Sequence, residues 1–205
     1  MIVRTADPSD THTNHVPAST ATAPAHLCRL VLTGFMGAGK TSVGRLLANR
    51  LGWDFLDLDA YIESRTGLTV PSIFATHGEQ HFRQLESQAL VSALGRSNIV
   101  IALGGGAPET LTNRLLLEQT PATATIFLDA PFATLLGRCV LESRHTGAAT
   151  PEQVRPNLAD PAVAEQRFLA RQPIYRRLAH HIINTESLST EQTVTVRLTT
   201  LNTSH

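Results

Sequence analysis

From Leu27 onward the chain alternates short apolar runs with longer stretches in which apolar residues return every three or four positions. Short runs of this kind read as strands and the longer ones as amphipathic helices, so the predicted order is strand, helix, strand, helix. Strand signal falls on Leu30–Thr33, Trp53–Leu58, Asn98–Leu103, Thr123–Leu128 and His181–Ile183. Several of these runs are apolar enough to be buried on both faces, which is expected of a parallel sheet covered by helices on both sides. Val43, Leu46, Leu47 and Leu51 share one face of the first helix, and Leu111, Leu115 and Leu116 lie on a later one. Pro131 suits a first helical turn after Asp129. Ser189 and Gln192 have capping-box spacing ahead of Val194, Leu198 and Leu201, which share a face of the last helix. The fold class predicted is α/β, a doubly wound five-stranded parallel sheet.

Two segments break this rhythm. Residues 1–26 carry no period of either kind and are mostly Thr, Ala, Pro, His, Ser and Asp, so they read as a disordered tail. They hold Asp7 and Asp10 but only Arg4, which argues against a transit peptide. Residues 143–162 contain Gly147 and three prolines without apolar period, too long for an ordinary connection, and read as a mobile lid.

Composition narrows the partners. A chain of 205 residues with 42% hydrophobic and 17% charged content suits one domain of ordinary size with a tail. Seventeen basic against seventeen acidic residues leave no net charge and no reason to expect nucleic acid or an anionic membrane as partner. No apolar run approaches the roughly eighteen residues of a membrane span. Cys28 and Cys139 stand far apart and in no metal-like spacing, as incidental thiols of a reducing compartment would. The expectation is a monomeric cytoplasmic protein with small-molecule partners.

The chemistry begins at Gly34–Thr41, GFMGAGKT, which follows the first strand and opens the first helix. This is the phosphate-loop pattern in its required context. Glycines let the backbone turn its N–H groups toward phosphate oxygens at a helix N-terminus. Thr41 supplies a hydroxyl for Mg²⁺. Lys40 is the only lysine among the seventeen basic residues. It is a compact point charge on a thin stem, able to follow a moving phosphoryl group, whereas arginine is a wider planar fork. A nucleoside triphosphate is implied. With no second lysine the chain lacks the Asn-Lys-x-Asp that reads guanine, which excludes a GTPase.

The second strand ends in Asp57-Leu58-Asp59, two carboxylates with period-two spacing at the carboxyl end of a strand, where ligands gather in open α/β sheets. Asp59 also reads as the N-cap of a helix over Ala60–Thr66, stopped by Gly67. Farther on stand Gly78–Glu86 with Arg83, then Ala102-Leu103-Gly104-Gly105-Gly106-Ala107, then Arg171-Gln172-Pro173-Ile174-Tyr175. Taken singly, each has another reading: Arg83 as a surface ion pair with Glu79 or Glu86, Arg171 likewise as a surface ion pair, and the glycines as a tight turn.

Taken together, in order and spacing from Leu30 to Leu198, these stretches resemble the shikimate kinase family. The resemblance implies a three-layer P-loop kinase fold of the nucleoside-monophosphate-kinase type, with a substrate-binding insert (59–95) and a lid (143–162) in a domain spanning 27–205. It implies transfer of a phosphoryl group from ATP to the 3-hydroxyl of shikimate, with Mg²⁺, on the route to chorismate and aromatic amino acids. By resemblance Gly37, Ala38, Gly39, Lys40, Thr41 and Ser42 hold the phosphates, while Thr41 and Asp57 serve the metal. Asp59 binds ring hydroxyls and is the candidate base; Arg83 and Arg171 bind the carboxylate. Gly104, Gly105 and Gly106 approach the substrate closely, with an N–H of Gly105 on a hydroxyl. Arg155, in Arg155-Pro156-Asn157-Leu158 where the family has Arg-Pro-Leu-Leu, matches the lid arginine over the nucleotide.

Arg138 and Arg144 read as solvated helix charges as readily as nucleotide contacts. His77, His81, His145, His180 and His181 show no metal-ligand spacing and read as structural or solvated. Phe35, Phe74 and Phe82 suit core packing or a wall of the substrate site. A kinase of another hydroxylated acid, gluconate or a cyclitol, and a sensor that binds without turnover remain the competing readings.

Overall fold

The computed structural model describes residues 26–145 and 160–203. The tail expected over 1–26, save His26, and most of the expected lid, including Arg155, lie outside these residues. The sheet has five parallel strands: β1 (Arg29–Thr33), β2 (Asp54–Asp57), β3 (Ile99–Ala102), β4 (Thr123–Asp129) and β5 (His181–Asn184). Their order is β2-β3-β1-β4-β5, all in parallel register, with Leu32 of β1 beside Ala102 of β3 and Ile126 of β4. Seven α-helices accompany them among the described residues: α1 (Lys40–Leu51), α2 (Leu58–Thr66), α3 (Val70–Leu94), α4 (Leu111–Gln119), α5 (Phe132–His145), α6 (Pro161–Leu178) and α7 (Thr190–Thr203).

The apolar runs are explained by helices on both faces. Leu30 and Leu32 of β1 point into one core with Val43, Leu47, Ile126, Phe168 and Val194. Val31, Ile99 and Ile101 point into a second core with Ile62, Leu90 and Leu117. Each inner strand therefore buries both its odd and its even positions. The edge strands do not: Asp54 of β2 and Ile182 of β5 are exposed.

Local signals place most helix ends as expected. Ser189 and Gln192 form a reciprocal capping box: the Ser189 N–H donates to Gln192 Oε1 at 2.8 Å, and the Gln192 N–H donates to Ser189 Oγ at 3.2 Å. Helix α4 corrects the expected apolar face. Leu111 and Leu115 are exposed, while Leu117 and Asn113 turn inward. The polar Asn113 is half accommodated there: its Nδ2 donates to the Ala107 carbonyl at 2.9 Å, while its buried Oδ1 has no hydrogen-bond partner among the described residues.

Helix α3 is bent at Gly78, whose φ of 80° and ψ of 171° no helical residue adopts. A side chain at such a backbone position is strained, so glycine is the residue that permits the bend. The segment beyond it carries Glu79, Arg83 and Glu86.

Candidate active site

Because all strands are parallel and the order departs on both sides of β1, the carboxyl ends of β1, β2 and β3 deliver their following loops to one end of the sheet. These loops are Gly34–Gly39, the Asp57 turn and Gly104–Gly106. They line a single cleft with Lys40, Thr41, Asp59, Arg83, Glu86 and Arg171. Residues singled out in sequence at five separate stations, the phosphate loop, the Asp57–Asp59 turn, Arg83, Gly104–Gly106 and Arg171, are thereby brought together.

In the phosphate loop, Gly34, Gly37 and Gly39 have φ of 144°, 75° and 83°. A Cβ on Gly37 would stand 2.4 Å from the Leu135 carbonyl oxygen and 2.9 Å from Cys139 Sγ, so backbone packing beneath the loop forbids a side chain there. Lys40 Nζ donates to the carbonyls of Gly34 at 2.9 Å and Phe35 at 3.0 Å. The lysine thus lies over its own loop. Ala38 is buried, and Ser42 is exposed outside the cleft lining.

The Asp pair differs from the sequence expectation. β2 ends at Asp57, and Asp57 rather than Asp59 is the N-cap of α2, accepting from the Ala60 N–H at 3.4 Å. Asp59 sits in the first helical turn. The two carboxylates meet at the cleft because a helix starts between them, so the strand's period-two spacing is not the cause. Asp57 Oδ2 also accepts from Thr41 Oγ1 at 2.7 Å, setting a hydroxyl and a carboxylate side by side. Burial, reinforced by the neighbouring Asp57 charge, raises the pKa of Asp59 against the opposing pull of Lys40 and Arg83.

The glycine run after β3 makes room for side chains. A Cβ on Gly104 would lie 2.6 Å from Asp59 Oδ1, and one on Gly106 would lie 2.6 Å from an Arg83 guanidinium nitrogen. The Gly105 carbonyl accepts from the Tyr175 hydroxyl. The tight-turn reading is therefore incomplete, since two of the three positions are kept bare by the charged groups packed on them.

Arg83 donates to Glu86 Oε2 at 2.9 Å and to Glu79 Oε1 at 3.0 Å, so both ion pairs considered in sequence form while the guanidinium still lines the cleft. Arg171 reaches the same place from α6, its guanidinium carbon 5.9 Å from the centre of the Phe35 ring. Glu109, on the 3₁₀ turn Ala107–Glu109, accepts from Arg171 at 2.8 Å and lies 3.6 Å from Arg83. Glu86 is 1% exposed, and desolvation pushes its pKa up to about 7 despite the opposing Arg83 charge.

Sequence reading treated Glu86 only as a partner for Arg83 and missed Glu109 and the Tyr175 hydroxyl. The three-residue spacing of Arg83 and Glu86 hinted at the first; nothing local marks the others. Phe35 and Phe82 are buried in the two cores, while Phe74 is half exposed and lines the cleft beside Phe82, ring centres 4.7 Å apart. Arg138 is not a solvated helix charge: it donates to Thr185 Oγ1 at 3.1 Å and to the carbonyls of Thr185 and Glu186 after β5. The Arg144 side chain lies outside the described residues. His180 is structural, its Nδ1 accepting from the Thr125 N–H at 3.1 Å. His77 and His81 stack in the open, ring centres 5.0 Å apart, and no metal-ligand cluster is found among the described residues. No helix among them is long and apolar enough to cross a membrane. Cys28 and Cys139 are not joined by a disulfide.

Comparison with known proteins gives a consistent picture. The shikimate kinase family matches residues 36–202. A shikimate kinase of Nitratidesulfovibrio vulgaris is 36% identical over 162 residues, covering 78% of this chain and 87% of that protein. One from Halorhodospira halophila is 41% identical over 160 residues, covering 77% and 84%. The solved shikimate kinase of Acinetobacter baumannii in complex with shikimate superimposes with a TM-score of 0.75 at 34% identity, over 87% of this chain and 96% of that one.

Proposed function

The chain belongs to the shikimate kinase family, and from that premise we propose how its own residues divide the work. The protein is an ATP-dependent phosphotransferase that phosphorylates the 3-hydroxyl of shikimate, a step toward chorismate and the aromatic amino acids. The observation that carries the assignment of roles is one cleft in which the phosphate-loop lysine, a raised-pKa aspartate and a pair of partly buried arginines converge.

The loop amides of Gly37–Ser42 and the α1 N-terminus hold the phosphates of ATP. Lys40 leaves the Gly34 and Phe35 carbonyls to meet the β- and γ-oxygens, where charge accumulates as the bond to the leaving ADP breaks. Arg83 and Arg171 grip the acceptor's carboxylate, because guanidinium forks match that group and fix the ring's orientation. The N–H of Gly105 serves a ring hydroxyl. Asp59 then faces the reacting hydroxyl and takes its proton as the oxygen bonds to the γ-phosphorus. Its raised pKa makes it a stronger base than an ordinary carboxylate, closer to what proton transfer near neutrality requires.

The hydroxyl of Thr41 and the carboxylate of Asp57, 2.7 Å apart, are hard oxygen donors of the kind Mg²⁺ accepts, so the residues fit that ion. When bound it supplies neutralisation of phosphate charge. Arg155, in the lid segment, adds positive charge over the transferring group. Helices α2 and α3 form the acceptor-binding insert. We keep the reading of a cytoplasmic monomer, and two cysteines without a disulfide suit a reducing compartment.

A coupled ADP-release assay with shikimate, gluconate and quinate tests the acceptor: turnover is expected with shikimate alone. Asp59→Asn is expected to bind ATP and fail to transfer. Wild-type turnover by that variant would remove Asp59 from its role.

A further inference from the structure

The acceptor end of the cleft holds more acid than the proposed chemistry uses. Two guanidiniums, Arg83 and Arg171, face three carboxylates, Glu79, Glu86 and Glu109. Glu86 is 1% exposed and fixed on α3 beside Arg83. Glu79 is 66% exposed and pairs with Arg83 from the preceding turn. Glu109 differs from both, because one of its oxygens serves both arginines, at 2.8 Å from Arg171 and 3.6 Å from Arg83. It therefore occupies the place in the clamp that an acceptor's carboxylate would take.

An incoming carboxylate needs guanidinium donors that these side chains already hold, so one of them must give way. Glu86 cannot leave cheaply, since its alternative to Arg83 is a buried site without water. Glu79 and Glu109 can, with side chains 66% and 38% exposed, and of the two only Glu109, on the short turn Ala107–Glu109, holds Arg171.

We propose that Glu109 is an internal competitor for the acceptor clamp, holding Arg171 and Arg83 until a substrate carboxylate displaces it. This rests on the reading of those arginines as the clamp. The exchange trades one carboxylate for another, so it lowers acceptor affinity by the strength of a half-exposed ion pair. It also raises selectivity, because a neutral polyol offers no charge-assisted bonds to replace those it would break.

The test is calorimetric titration of shikimate into the full-length wild type, Glu109→Gln, Glu109→Ala, Arg171→Met and the Glu109→Gln/Arg171→Met double variant, at one ionic strength. Both Glu109 variants are expected to bind shikimate about three- to fivefold more tightly, the range of a partly exposed ion pair. The gain should shrink in the Arg171→Met background, where only the longer contact to Arg83 remains, as coupling between Glu109 and Arg171 requires. If Arg171→Met weakens binding while neither Glu109 variant tightens it, the competitor is refuted and the clamp stands. If Arg171→Met leaves shikimate affinity unchanged, the clamp itself is refuted and the competitor falls with it.

Discussion

The phosphate loop and the acceptor end of the cleft are a few residues apart in space and built by opposite means. The loop is continuous in sequence, Gly34 to Thr41, and shaped by backbone: its glycines hold positive φ, and a side chain on Gly37 would meet another segment's carbonyl oxygen. The acceptor end is assembled from α2, α3, the turn after β3 and α6, and shaped by side chains. There a methyl on Gly104 or Gly106 would meet carboxylate or guanidinium tips. A glycine change in the backbone-built loop should cost fold and nucleotide binding together. A side-chain-built site should fail in function while its fold survives.

The largest effect is expected from Lys40→Arg, which leaves the loop intact but puts a wide fork where a point charge is needed. Turnover should drop on the order of 10³-fold with an unchanged thermal midpoint. A variant retaining a tenth of wild-type turnover would refute the steric account of lysine at this position.

Gly37→Ala should be the most damaging glycine change, about 3 kcal/mol in denaturant unfolding, because positive φ and a backbone clash act together. ATP binding should weaken with it. A variant as stable as wild type would erase the distinction between the two regions.

Glu86 should give the protein a pH-dependent stability. Its folded pKa of about 7 lies above the ordinary glutamate value of 4.5, so between those values the native state binds more protons than the unfolded state. Stability from this group is full below about pH 4.5 and falls as pH rises through about 7, by roughly 3 kcal/mol. Urea unfolding of wild type and Glu86→Gln at pH 5 and pH 8 checks the sign: the variant should lose this component of the slope.

Arg171→Met should raise the acceptor KM about thirtyfold, near 2 kcal/mol, and leave the KM for ATP within about twofold. Equal effects on both substrates would merge the two regions into one. Gly104→Ala should be mildest, because the atom it displaces is the movable tip of Asp59. Turnover should fall about tenfold while the thermal midpoint shifts by about 2 °C or less. Here a large loss of stability would count against the side-chain-built description.

Much of the fold was legible in the chain because its signals are local. The inner strands β1, β3 and β4 are near-continuous apolar runs, and the capping box at Ser189 is a pattern of neighbours. GFMGAGKT could be read for the same reason, since its function resides in consecutive backbone groups. Asp57 and Asp59 were legible as residues but not as geometry: the helix beginning at Leu58 aims them, and that start depends on Asp57 capping the Ala60 N–H. The inward turn of Asn113 could not be read from periodicity, because the carbonyl that its Nδ2 meets belongs to the turn at Ala107.

The chain by itself determined a five-stranded parallel sheet, a phosphate loop after its first strand, and the residue types for the proposed carboxylate clamp. Only the tertiary structure decided that Glu86 is buried beside Arg83 and that Glu109 spans to Arg171. It also decided that Gly104 and Gly106 stay bare for Asp59 and Arg83. The physical reason is range. Propensity, capping and loop chemistry act between neighbours and leave a mark in the sequence. Desolvation and charge pairing act between whatever the sheet order brings together, and Glu109 and Arg171, 62 positions apart, carry no local sign that they will meet.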